Sequence, residues 1–85
     1  MPSAEEIRAV LLDLAATRGE KSFCPSEAAR RLSDDWRKLM PEIRAQAALL
    51  QDQGALQATR RGAAIRATDP GGPIRLTRVP RERRT

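Results

Sequence analysis

Histidine and tyrosine are absent from this 85-residue sequence, and Phe23 and Trp36 are its only aromatic residues. Without histidine there is no Cys/His metal site and no His-based catalytic dyad. Cys24 is the only cysteine, so no internal disulfide can form. No apolar run approaches the ~18 residues of a membrane span, and the N-terminus has no apolar signal region. A cytoplasmic protein with no membrane partner is expected. So few aromatics among many Leu, Ile and Ala favour helices over a β-sandwich. A chain of this length buries only about 60% of its unfolded surface, so its core must be compact. There is also no nucleophile–base pair, phosphate-cradling glycine loop or ligand cluster. An enzyme is not expected, nor is a cofactor or a metal.

What is abundant is positive charge, and it is unevenly placed. Residues 1–35 carry five basic and seven acidic side chains, a balance of −2; residues 36–85 carry eleven and four, a balance of +7. Such asymmetry points to an anionic partner for the second part, although an arginine-rich surface with a solvated tail gives the same balance.

Ser3 and Glu6 form the capping-box pattern Ser-x-x-Glu, and Ile7, Val10, Leu11 and Leu14 follow as an amphipathic stripe. Gly19 suits the end of this first helix. Ser22–Cys24 reads as a short extended segment, because the residue before Pro25 is pushed out of the helical region. A second helix starts at Pro25 or Ser26 and turns Ala28, Ala29 and Leu32 inward.

Ser33 is the next expected N-cap, with Asp34 and Asp35 in a first turn where carboxylates meet the positive end of the helix dipole. In "DDWRKLMPEIR", Pro41 either starts a new helix or bends a running one. A new helix would have Met40 as its cap, a residue with no acceptor to offer. At 100° per residue Trp36, Leu39, Met40, Ile43, Ala47 and Leu50 share one stripe, with Pro41 opposite. The spacing therefore predicts one bent helix over 34–53, closed by Gly54, with Trp36 in the core.

"ALQATRRGAAIRAT" predicts a hairpin turning at Arg61-Gly62, where the glycine supplies a positive φ. "PIRLTRV" is a third strand closing against either the hairpin or the first helix. The domain is expected to span 1–78, leaving a basic, flexible tail over 79–85.

Helix, short strand, helix, long helix and hairpin make an α+β, mostly helical chain with the layout of a winged helix-turn-helix: three helices plus a small β-hairpin wing. Through "FCPSEAARRL", "WRKLMPEIR" and "GGPIRL" the sequence also resembles a small family of uncharacterised bacterial domains with a winged-helix-like fold. The resemblance implies the fold and brings no functional residues.

The layout makes double-stranded DNA the expected partner and transcriptional regulation the expected setting. Arg37, Lys38 and Arg44 lie on the outer side of the candidate recognition helix, where arginine or lysine reaches guanine or phosphate. Arg60 and Arg61 fall at the wing tip, and Ser26 with the N–H groups of the second helix suits a phosphate. Taken alone, each of these cations has a simpler reading as a solvated surface charge; it is their constellation that points to DNA. The alternative is a protein-interaction module. Ala45, Ala48 and Leu49 form a second apolar face, which packs on "PIRLTRV" or joins a homodimer or another protein. Cys24 beside a helix start is either redox-sensing or, more simply, a small buried apolar group.

Overall fold

A computed structural model describes residues 2–79. Helix α1 (Ala4–Arg18) begins on the expected capping box. Ser3 Oγ accepts from the Glu6 N–H at 3.1 Å, and the Glu6 carboxylate accepts from the Ser3 N–H at 3.1 Å. Ile7, Leu11, Leu14 and Ala15 form its buried side, while Val10 is half-buried. Ser3→Ala removes one half of this reciprocal pair. It should cost about 1 kcal/mol, a melting-point drop of roughly 4–8 °C in a domain this small.

After α1 the chain runs extended through Phe23, which exchanges two main-chain hydrogen bonds of 2.8 Å with Leu76. Helix α2 (Pro25–Leu32) follows at once, with Pro25 where no N–H is needed. Of the two offered starts the helix takes Pro25, with Cys24 at the cap position, and the Cys24 N–H donates to the Glu27 carboxylate at 3.0 Å. That bond, more than the neighbouring Arg18 guanidinium, holds the Glu27 carboxyl below its ordinary value of 4.5. A depressed carboxylate contributes stability above its unfolded pKa and loses it as pH falls through the folded value. Wild type should therefore exceed Glu27→Gln in urea midpoint at pH 6, and the gap should close as the pH is taken well below 4.5.

The segment before α3 differs from the single bent helix expected over 34–53. Asp34 and Asp35 sit in a turn, Trp36–Leu39 is a 3₁₀ turn, and α3 spans Met40–Asp52. Ser33 ends α2 instead of capping the next helix, and its hydroxyl accepts from the Asp35 N–H at 3.1 Å. The physical reason lies in Pro41. As the second residue of α3 its missing N–H costs nothing, because no first-turn N–H has an intrahelical acceptor. The poor cap at Met40 is avoided because the chain arrives already coiled. Leu39 (φ −83°, ψ −16°) and Met40 (φ −55°, ψ −44°) are both right-handed helical, and the Met40 N–H donates back to Arg37. The phase of the apolar stripe survives: Leu39, Ile43, Ala47 and Leu50 are buried, and Pro41 faces out. Trp36 is only half-buried, packed against the edge of the core. The guanidinium carbons of Arg30 and Arg37 lie over its ring, 4.5 and 4.6 Å from the centroid.

Strands β1 (Leu56–Arg60), β2 (Ala63–Ile65) and β3 (Arg75–Arg78) form one antiparallel sheet in the order β2-β1-β3. Arg61 and Gly62 join β1 to β2 with φ of 52° and 84°, the two positive values of a tight primed turn. The third strand takes both offered positions: it pairs with β1 and packs on α1. Val79 remains tied to the sheet through its N–H to Ala55 O at 3.3 Å, whereas the rest of the expected tail, 80–85, lies outside the described residues. Helices on one side of a small sheet enclose a core led by Phe23, Ile7, Leu11, Ile43, Leu56 and Leu76. This is an α+β fold with a winged-helix-like arrangement, in which residues 61–74 form the excursion between the two long neighbours β1 and β3.

Candidate nucleic-acid interface

The excursion folds back instead of standing free. Gln51 of α3 holds it at two points, donating to Ile65 O at 2.7 Å and accepting from the Ala67 N–H at 3.0 Å. Arg44, one α-helical heptad earlier, lies in the same row. Its Nε donates to Ala67 O at 3.0 Å and its Nη2 to Asp69 O at 2.7 Å. Arg44 was expected to face outward with Pro41. It is instead half-buried under residues 67–69.

Arg60 departs from its expected place in the same way. It does not reach out from the wing tip but pairs with the Asp69 carboxylate at 2.8 Å and donates to Asp69 O at 3.0 Å. Two guanidinium groups thus converge on one carbonyl oxygen, with a single carboxylate beside them. Gly71 is the residue that permits this, since a Cβ there would stand 2.5 Å from Arg60 Nη1. Arg60 Nε is buried without a hydrogen-bond partner among the described residues.

Arg61 is the true tip, and it is exposed. Arg37 and Lys38 are exposed on the 3₁₀ turn; Lys38 pairs with Asp35 at 3.1 Å, and Arg37 lies over Trp36. Ser26 lines a cavity of about 250 Å³ together with Met40, Arg44 and Pro73. Arg60 and Arg61 line a second, open cavity of about 490 Å³ with Gly71 and Pro73. Pro73 borders both, so the two hollows adjoin across Gly71-Gly72-Pro73. Four of the six candidate residues surround this partition, and Arg37 and Lys38 lie on the 3₁₀ turn that leads into the helix bordering it. "GGPIRL" carries the family resemblance in the sequence, but its glycines give no local sign of a wall between cavities.

The outward row of α3 is a different surface. Pro41, Glu42, Leu49 and Asp52 are exposed and Ala45 half-exposed, and none of them is basic. Arg66, which reaches this row, is paired with Asp52 by two hydrogen bonds. Ala48, expected on an exposed apolar face with Ala45 and Leu49, is buried at 5% exposure, while Leu49 remains 46% exposed. Arg75, which sequence reasoning passed over, clamps the segment before α2. It donates to Ser22 Oγ at 3.0 Å, to Ser22 O at 3.1 Å and to Cys24 Sγ at 2.8 Å. Its signal was its position opposite "SFCP" in a third strand, which only the pairing of Phe23 with Leu76 reveals.

Among the described residues no helix is long and apolar enough to cross a membrane, and no cluster of His, Cys, Asp or Glu could hold a metal. Fold and site together define a small α+β domain of winged-helix-like arrangement with a cation-rich wing base. A family model described as a protein of unknown function, DUF3253, matches residues 4–79, and the chain belongs to that family. No curated protein matches it.

Proposed function

We propose that the chain binds double-stranded DNA, chiefly through phosphates, along the strip that runs from the 3₁₀ turn past the start of α2 to the wing tip. The observation that carries this reading is the distribution of charge. Of the five cations on the strip, Lys38 and Arg60 are paired with carboxylates. Arg37, Arg44 and Arg61 have no ion-pair partner among the described residues. The outward row of α3, which would enter a major groove, has no basic residue of its own and is reached by one cation, Arg66, held there by both oxygens of the Asp52 carboxylate. Phosphate contacts fix a protein on the duplex without reading sequence, whereas guanine readout needs Arg or Lys at the groove. Weakly sequence-selective binding follows.

Fluorescence anisotropy with a labelled 20-base-pair duplex tests this over a salt series. Three to five phosphate contacts give a slope of log K against log salt between about −3 and −4.5. A scrambled duplex should bind within about threefold of the first, because each base pair that is truly read is worth ~1–3 kcal/mol. Absence of salt-sensitive binding at low ionic strength would overturn the proposal.

A second reading has its own observation. Leu49, 46% exposed beside Ala45 and Pro41, gives α3 an apolar outer row suited to a protein partner. If that row is an interface, wild type runs as a dimer in light scattering, or retains a partner in pull-downs, and Leu49→Glu abolishes either behaviour. A monomer with unchanged pull-downs would exclude it.

A further inference from the structure

The smaller cavity asks for a ligand of its own. Its walls are mostly apolar, from Pro25, Met40, Pro73 and Ile74, and the residues on it that carry polar side chains are Ser26, Cys24 and Arg44. The thiol is already engaged by Arg75. Arg44 is held by two main-chain carbonyls through Nε and Nη2, and its Nη1 donates to nothing among the described residues. Carbonyl oxygens fix the guanidinium without neutralising it. Asp69, whose carbonyl Arg44 holds, has its carboxylate paired with Arg60, and Glu27 pairs with Arg18 and the Cys24 N–H. A half-buried, permanently charged group with no counter-ion carries a desolvation cost that an anion would offset.

We propose that this cavity binds a small carboxylate with a short apolar body, its carboxylate on Arg44 Nη1 and the Ser26 hydroxyl and its apolar part against Met40, Pro73 and Ile74. An inorganic oxyanion satisfies the charge and leaves the apolar walls wet. A neutral apolar molecule does the reverse. Only the two properties in one molecule meet both surfaces, and the guanidinium is already in place, so little ordering cost is incurred on binding. The hollow, about 250 Å³, has room for a small organic acid of the size of benzoate or hexanoate. The inference does not rest on duplex binding, since occupancy is read on the free protein.

The test is an NMR titration of the full ¹⁵N-labelled chain with benzoate, hexanoate, hexanamide and inorganic phosphate, following the Ser26 amide and the Arg44 Nε–H. Benzoate and hexanoate should give saturable shifts at millimolar concentration or below. Hexanamide should bind at least about tenfold more weakly, the worth of one charge-assisted hydrogen bond. Phosphate should be weaker than benzoate. Arg44→Gln should erase the preference of hexanoate over hexanamide. Because Arg44 also holds residues 67–69, Ser26→Leu provides the second variant. It fills the cavity without touching that loop, and should abolish both carboxylates' shifts in a protein whose remaining spectrum is unchanged. The proposal fails if no shift saturates, if hexanamide or phosphate equals the carboxylates, or if Ser26→Leu binds like wild type.

Discussion

Phe23→Ala is expected to lower the free energy of unfolding by about 4 kcal/mol, the largest loss from any single substitution here. Phe23 is fully buried and heads the large side chains that are. It stands where three parts of the fold meet: the segment between α1 and α2, the start of α2 and the centre of β3. Its two main-chain bonds to Leu76 survive the substitution, so the loss is that of the ring alone. Phe→Ala in a core costs ~3–5 kcal/mol, from lost transfer energy and from the cavity left behind. The chain has no second phenylalanine to repack into that space. Small domains hold ~5–15 kcal/mol in all, so the variant should be near its unfolding midpoint under mild conditions. Urea titration measures it directly. Leu12→Ala, at a residue 42% exposed, serves as the control and should change stability by less than about 0.5 kcal/mol. A loss below about 2 kcal/mol for Phe23→Ala would mean that the site collapses around the smaller side chain, at odds with the close packing expected of a compact core.

Much of this core was legible because it rests on local rules. Ser3 and Glu6 announced the start of α1, and Arg61-Gly62 the hairpin turn. The spacing of Leu39, Ile43, Ala47 and Leu50 marked the buried side of α3 even though the helix begins later than expected. That spacing records which way a Cβ points while the backbone stays coiled. It does not distinguish i→i+3 from i→i+4 hydrogen bonding, so the 3₁₀ turn before Pro41 left no trace in it. The site was harder to read for a related reason. Helical phase places Arg44 on the side of Pro41, but cannot say that residues 67–69 return over that side and offer carbonyls to its guanidinium. Arg60 likewise sits at the end of β1 as foreseen. Its direction is set by Asp69, nine residues on, and by the absence of a side chain at Gly71. Contacts made through a returning loop are non-local, and the sequence pattern carries no register for them.

Removing three cations that leave the fold intact should reduce duplex affinity by roughly two to three orders of magnitude at low salt, and the choice of cations matters. Arg44 and Arg60 are poor probes, because each holds the 67–72 loop through two or more hydrogen bonds, and their loss would confuse binding with folding. Lys38 is exposed and its pairing with Asp35 is a surface one, worth little. Arg61 is better replaced by Asn than by Ala. It occupies the left-handed region at φ 52°, which asparagine tolerates and alanine resists. Arg37 lies over Trp36, so Gln, which keeps much of its length, preserves more of the packing than Ala. Each lost phosphate contact should flatten the salt slope by about one. A wild-type slope near −4 would thus fall toward −1 in Lys38→Ala/Arg61→Asn/Arg37→Gln, with the melting temperature nearly unchanged. The loss should be the same on every duplex sequence, because phosphates are alike. Glu42→Gln, on the outward row of α3, provides the contrast: it removes a negative charge from the face that would enter a groove and keeps an acceptor for the buried Gln46 amide, which donates to Glu42 at 2.7 Å. If α3 lies in the major groove, Glu42→Gln should change affinity differently on different duplexes. If the strip along the wing base carries the contact, it should raise affinity slightly and uniformly through long-range attraction alone. A triple variant that binds as tightly as wild type, at the same salt slope, would remove the strip from consideration and leave the apolar row at Ala45 and Leu49 as the surface to pursue.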